Sequence, residues 1–258
     1  MFFSDRPENY GKPWARDELI LAFELYCRIP FRKTKATNPR VVELAGRLRR
    51  SPAAVARKLG NFGAFDPELR RRNVSGLAHG SQLDREVWDA FHHDWNALVL
   101  EAHRLKHELA SPTQGLATPV MPTGPSERVA LVKQRIHQAF FRDAVLSNYE
   151  NRCCVTGINV PECLIASHIL PWSRDDRFRT DPTNGLCLSA TFDRLFDAGL
   201  ITVSAELAVR VSTKVLASGN AQVSRLISSY DGRPILTPHR FLPSLAHLEW
   251  HQSNVFVP

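Results

Sequence analysis

Between Cys153 and Thr202 the chain reads CCVTGINVPECLIASHILPWSRDDRFRTDPTNGLCLSATFDRLFDAGLIT. Four residues in it could act together. His168 follows a short β-type run, and an imidazole with an ordinary pKa near ~6.5 can take a proton close to neutrality. Asn184 follows in the polar stretch beyond it. Asp193 and Asp197 stand at i and i+4, on one face of any helix that contains both. Two carboxylates so placed repel unless water or a cation lies between them, and hard oxygen donors of this kind suit Mg²⁺, Mn²⁺ or Ca²⁺. A base beside a divalent-ion seat is equipment for hydrolysing a phosphodiester.

The elements that must position these residues are legible locally. Cys163–Ile169 and Gly185–Leu188 are short apolar, β-compatible runs. The segment between them is polar, with Pro171, Asp175, Asp181, Pro182 and Asn184 as turn formers, so two strands joined by a long loop are expected. Ser189 can cap a helix over Ala190–Asp197, with Leu195 and Phe196 for the core and Gly199 as a left-handed stop. His168, ending the first strand, is expected to face that helix. Glu127–Tyr149 reads as a helix leading in, with Val129, Val132, Ile136, Phe140 and Phe141 as its apolar set. Downstream, Leu200–Thr213 alternates like a hairpin, Ala221–Tyr230 has helical spacing and Asp231-Gly232 marks a turn.

The order His168, Asn184, Asp193 within a strand–loop–strand–helix unit resembles the HNH endonuclease family and its ββα-metal fold. The resemblance extends to Pro171-Trp172, to Asn184-Gly185-Leu186 and to Leu195-Phe196-Asp197-x-Gly199. Counting Arg135, Gln138, Phe141, Arg142 and the closing His251…Phe256, it covers roughly 134–256. It implies that His168 is the general base activating a water and that Asn184 holds the loop and the histidine ring. It implies further that Asp193, at the place of the family's last histidine, binds a divalent metal ion, with Mg²⁺ or Mn²⁺ expected. Two positions depart from the family pattern. Where many relatives have a metal-binding acid or histidine just before the base, this chain has Ser167, a weak ligand, which makes Asp197 the candidate second ligand. The cysteines, Cys27, Cys153, Cys154, Cys163 and Cys187, form no CxxC pair, so no structural zinc is expected.

Composition fits a polyanionic partner. The chain has 258 residues, 43% hydrophobic and 23% charged, enough for two domains with real cores, and carries a net charge of +7. The opening MFFSDRPENYGK has neither a basic n-region nor a long apolar run, and no window approaches a membrane span. An odd number of cysteines fits reduced thiols, and a cytoplasmic location is expected.

Ser111–Ser126, rich in Pro, Gly, Ser and Thr, reads as a linker between residues 1–110 and 127–258. The first part is mostly helical. Trp14–Arg28 has Leu19, Ala22, Phe23 and Tyr26 at helical spacing, Asn38-Pro39 opens a second helix, and Ser51-Pro52 at once starts a third over Pro52–Leu59. Two helices joined so tightly look like helix-turn-helix, and Arg47, Arg50, Arg57 and Lys58 on or beside them are candidate DNA contacts. A small bundle with a solvated basic face is the plainer alternative. Arg142 and Arg194 are candidate phosphate contacts in the second part. Asp84–Leu109 reads as one long helix with Val87, Phe91, Trp95, Leu98, Ala102, Leu105 and Leu109 as an apolar seam, which either covers the bundle or pairs two subunits into a homodimer.

The expected fold is therefore α+β, an N-terminal helical DNA-recognition module followed by a C-terminal ββα-metal nuclease domain. The expected function is metal-dependent hydrolysis of DNA in restriction or defence, with modified bases as candidate targets. A non-catalytic DNA-binding regulator on a degenerate scaffold and an RNA-cleaving toxin are the alternatives.

Overall fold

The computed structural model describes residues 6–74, 80–110, 126–217 and 219–258. The predicted linker lies outside them apart from Ser126. The chain divides into two units, Met1–Phe140 and Phe141–Pro258, and α7 (Ser126–Asn148) runs across the division.

In the first unit α1 (Arg16–Arg28) is buried from Leu19 through Cys27, the signature of a helix surrounded by others. Its neighbours are α2 (Pro39–Arg47), α3 (Pro52–Phe65), the short α4 (Pro67–Arg71), α5 (Gln82–Phe91) and α6 (Trp95–Ala110). Starts follow capping chemistry. Asn38 accepts the Arg40 N–H and Ser51 the Ala54 N–H, each ahead of a proline in the first helical turn. Phe23 sits among the rings of Tyr26, Phe62, Trp88 and Trp95, and the buried Tyr26 hydroxyl donates to Asp66 at 2.9 Å.

The long helix expected over Asp84–Leu109 is broken. Helix α5 ends at Phe91 and α6 begins at Trp95, because Asp94 accepts the Ala97 N–H on its side chain at 3.0 Å and restarts the helix. The apolar seam survives the break, with Val87, Phe91, Trp95, Leu98, Ala102 and Leu105 all buried. Both helices pack on α1, so the seam covers the bundle, and only Leu109 of the set is exposed. The third helix also runs past Leu59 to Phe65.

In the second unit, strands β1 (Leu164–His168) and β2 (Gly185–Ser189) pair antiparallel, Leu164 opposite Ser189 and His168 opposite Gly185. A two-stranded sheet needs a covered face, and α7 supplies it. A Cβ on Gly185 would lie 2.3 Å from Val145 and 2.9 Å from Phe141, so the absence of a side chain lets sheet and helix approach. Helix α8 (Ala190–Asp197) follows β2 at the predicted residues and packs against both strands. Gly199 stops it with φ +69°. A second hairpin, β3 (Ile201–Val203) with β4 (Val209–Val211), and helices α9 (Thr213–Leu216), α10 (Ala221–Ser228) and α11 (Leu245–Asn254) complete the unit. Its core joins Phe141 and Val145 of α7, Leu164, Leu186 and Leu188 of the first hairpin, and Phe192 and Phe196 of α8. Among the described residues no helix is long and apolar enough to cross a membrane.

Candidate active site

His168 closes β1 on the strand face shared with its partner Gly185. Its ring lies flat on Phe141, 3.6 Å between centroids and 8° between planes, with Trp172 edge-on at 5.5 Å. One face of the ring packs on α7, since residues opposite each other in an antiparallel pair share a face and α7 covers the face of Gly185. Nε2 is 3.2 Å from the Arg179 carbonyl. A carbonyl can only accept, so Nε2 carries the hydrogen and Nδ1 keeps a lone pair. Burial holds the imidazole pKa down to about 4, against the opposing pull of the Arg179 carbonyl, so the ring is neutral and proton-accepting at pH 7.

The loop that brings Arg179 to His168 is closed by Asn184, which is 2% exposed. Asn184 Oδ1 accepts the Leu170 N–H at 2.8 Å, and Nδ2 donates to the carbonyls of Leu170 at 3.1 Å and Phe178 at 3.3 Å. The Asn184 carbonyl accepts the Ile169 N–H at 2.9 Å. One amide thus ties both ends of the loop beside the base. The loop is also docked on α11: Ser244 N–H donates to Thr183 O at 2.9 Å, Phe178 meets His247 edge to face at 4.6 Å, and Arg174 lies 5.3 Å from the Trp250 ring centroid.

Asp193 is half-buried and Asp197 exposed on α8. Desolvation by the surrounding protein and then the nearby Asp193 charge push the Asp197 carboxyl pKa up, with Arg194 opposing, so the two carboxylates sense each other. Ser167 lies on the β1 face opposite His168. It is 3% exposed, and its Oγ has no hydrogen-bond partner among the described residues. No three His, Cys, Asp or Glu side chains converge as a metal cluster among the described residues. One or two carboxylates, with water and phosphate oxygens completing the shell, is nonetheless how Mg²⁺ is commonly held. The pair on α8 fits that pattern by its chemistry. Cys153, Cys154 and Cys187 lie buried in the core; burial raises the Cys154 thiol well above its ordinary pKa and pushes Cys187 up to about 12, so both remain thiols and poor ligands.

The predicted DNA contacts divide sharply. Arg57 is exposed, and Arg47 is exposed while pairing with Glu43 at 2.9 Å. Arg50 is a correction. It is 6% exposed, its guanidinium donates to both carboxylate oxygens of Glu18 at 2.7 Å and to the carbonyls of Asn9, Lys12 and Pro13, and no donor is left to reach a phosphate. Lys58 is corrected because its ammonium is held in an ion pair, between both oxygens of the fully buried Asp84 at 2.7 and 2.9 Å. In the second unit Arg142 donates to the Leu164 carbonyl at 3.0 Å and so fixes the start of β1, while Arg194 is exposed on α8. Phe141 and Arg179 are the positioning groups whose roles sequence reasoning missed. Phe141 stood with Arg135, Gln138 and Arg142 in the resemblance, but Arg179 acts through its backbone carbonyl, which no side-chain pattern reports.

Residues 153–204 match the family model described as HNH endonuclease. The segment is an HNH endonuclease domain. It contains His168, Asn184, Asp193 and Asp197 together with the hairpin and helix that carry them. No curated protein matches the chain. Among solved structures, a modification-dependent TagI restriction endonuclease is 23% identical, with a TM-score of 0.33, over 45% of this chain and 38% of its own. The chain therefore spans well under half of that protein's length.

Proposed function

We propose that the chain is a divalent-metal-dependent endonuclease that hydrolyses DNA phosphodiesters, with His168 as general base and Asp193 and Asp197 as metal ligands. The observation that carries the proposal is the His168 geometry. One ring nitrogen is spent on the Arg179 carbonyl, the ring is fixed on Phe141, and Nδ1 keeps its lone pair. Nδ1 takes the proton of the attacking water. The Arg179 carbonyl then steadies the imidazolium that forms, much as a backbone acceptor orients other basic histidines. Asn184 holds that carbonyl in place through the loop. A divalent ion would supply charge neutralisation at the phosphate and leaving oxygen.

The HNH resemblance supports a restriction or defence role, and modified DNA is the substrate class to examine first. Arg47 and Arg57 are the phosphate contacts we assign to the first unit, with Arg194 beside the carboxylates in the second. Arg50 and Lys58 we assign to holding that first unit together. The deciding experiment is incubation of unmodified, methylated and hydroxymethylated DNA with the full chain and Mg²⁺ or Mn²⁺, beside His168→Ala. Cleavage by the wild type and none by the variant is expected. Metal-independent cleavage, or equal cleavage by both proteins, would reject the assignment.

A further inference from the structure

One buried group outside the proposed chemistry reaches the end of the helix that carries the carboxylates. His251, in α11, is 2% exposed, and its ring lies flat on Phe196 at 3.7 Å and 9°. Nε2 is 3.1 Å from the Phe196 carbonyl and Nδ1 is 2.9 Å from Thr202 Oγ1. Because the carbonyl only accepts, Nε2 donates, and Nδ1 must accept the Thr202 hydroxyl proton. Both ring nitrogens are used, in one neutral tautomer.

The bonded carbonyl has a particular place. It belongs to the last turn of α8, whose carbonyls lack helical partners, and to the peptide plane whose nitrogen is that of Asp197. It also accepts the Gly199 N–H at 2.9 Å, so two donors hold that plane from different directions. Helix α11 and the residues after it also hold the chain that follows α8. Val257 N–H donates to Gly199 O at 2.9 Å, Gln252 Nε2 donates to Val203 O at 2.9 Å, and a Cβ on Gly199 would lie 2.0 Å from the Val255 carbonyl. Helix α8 is therefore clasped where it ends, at its second carboxylate.

We infer that His251 is a positioning residue for the carboxylate pair: by fixing the peptide plane between Phe196 and Asp197 it sets the separation of Asp193 and Asp197 at which a divalent cation binds. The inference rests on the metal assignment proposed above. Groups that orient ligands from behind commonly account for roughly 10-fold or more in metal affinity. Phenylalanine at 251 keeps the stacking volume and loses both hydrogen bonds, whereas glutamine can donate to Phe196 and accept from Thr202.

The test is Mn²⁺ titration calorimetry on the full-length wild type, Asp193→Asn, His251→Phe and His251→Gln, with DNA-cleavage kinetics and melting temperature measured on the same preparations. Mn²⁺ affinity about 10-fold weaker in His251→Phe is expected, with kcat lowered, KM for DNA unchanged and substantial recovery in His251→Gln. Should His251→Phe fail to fold, Thr202→Val removes one partner of the ring and a smaller loss of affinity is expected. Equal Mn²⁺ binding by wild type and Asp193→Asn overturns the metal assignment itself. Loss in Asp193→Asn with none in His251→Phe, or in Thr202→Val where that variant stands in, overturns the role of His251 alone.

Discussion

The polar groups of the two units differ in what they have left to offer. In the first unit they are spent on each other: Arg50 on Glu18, Lys58 and Asn61 on Asp84, and both Arg28 and Lys106 on the buried Glu24. Around β1 and α8 in the second unit they are incomplete. Ser167 Oγ has no partner among the described residues, His168 keeps a lone pair, and Asp193 and Asp197 crowd each other on one helix face. Buried charges are normally paired because an isolated one is costly. A completed pair holds a fold, and an incomplete set is what a substrate or ion can finish. The contrast separates architecture from chemistry here better than residue type does, since arginine and lysine drew attention in the first unit for their charge alone.

Breaking the incomplete set should abolish activity while sparing the fold. His168→Ala is expected to lower kcat by roughly 10²–10⁴, the usual worth of a general base, with melting temperature and DNA affinity little changed. Near-normal turnover would sink the assignment. The pH profile sharpens the point. Only neutral His168 accepts a proton, and burial holds its pKa down to about 4, so the activity attributable to this base should persist as pH falls below the ordinary histidine range and fail near pH 4. An apparent pKa of ordinary histidine value in kcat would mean the base is not this ring.

Asp193→Asn should come next, removing a direct carboxylate ligand and so weakening Mn²⁺ binding by more than the roughly 10-fold that loss of an outer group costs, with Asp197→Asn similar or smaller in effect. Unchanged titration calorimetry in both would place the ion elsewhere. The completed pairs should answer in the opposite currency. Arg50→Ala leaves Glu18 without its partner, and about 3 kcal/mol of stability should disappear from denaturant unfolding, while the salt dependence of DNA binding stays put. A stable variant with a flattened salt slope would reverse the division drawn here. The smallest expected effect belongs to Arg57→Ala, which should change the log–log salt slope by about 0.9, one phosphate contact, without altering stability. No change in slope would remove Arg57 from the interface.

Much of the second unit was legible because its signals are local. Strand residues, the turn formers between them, Ser189 ahead of α8 and Gly199 behind it fall within one stretch, and the boundaries of α8 emerged as predicted. The α5–α6 break was hidden because Phe91 and Trp95 both face the core on either side of it, so the apolar rhythm runs through a gap that only the Asp94 cap reveals. Arg50 was misjudged because its partner Glu18 lies far away in sequence; a run of basic residues does not say which of them is already neutralised. The closing His251 was visible as part of the resemblance, but its seat on Phe196 and Thr202 depends on a tertiary contact. The role of the Arg179 carbonyl was beyond reach, since every residue has one.

The clasp on α8 also sets an order of events during synthesis. The hairpin and α8 are made early in the second unit, whereas the residues that grip the end of α8, from His251 to Val257, are made near its close. Domains commonly fold as units once their last elements are available. A ribosome-bound chain stopped after β4 should therefore hold the base and both carboxylates without the geometry to use them, and should leave nearby DNA uncut. Stalled nascent chains of increasing length, assayed for cleavage, would locate the length at which cleavage begins.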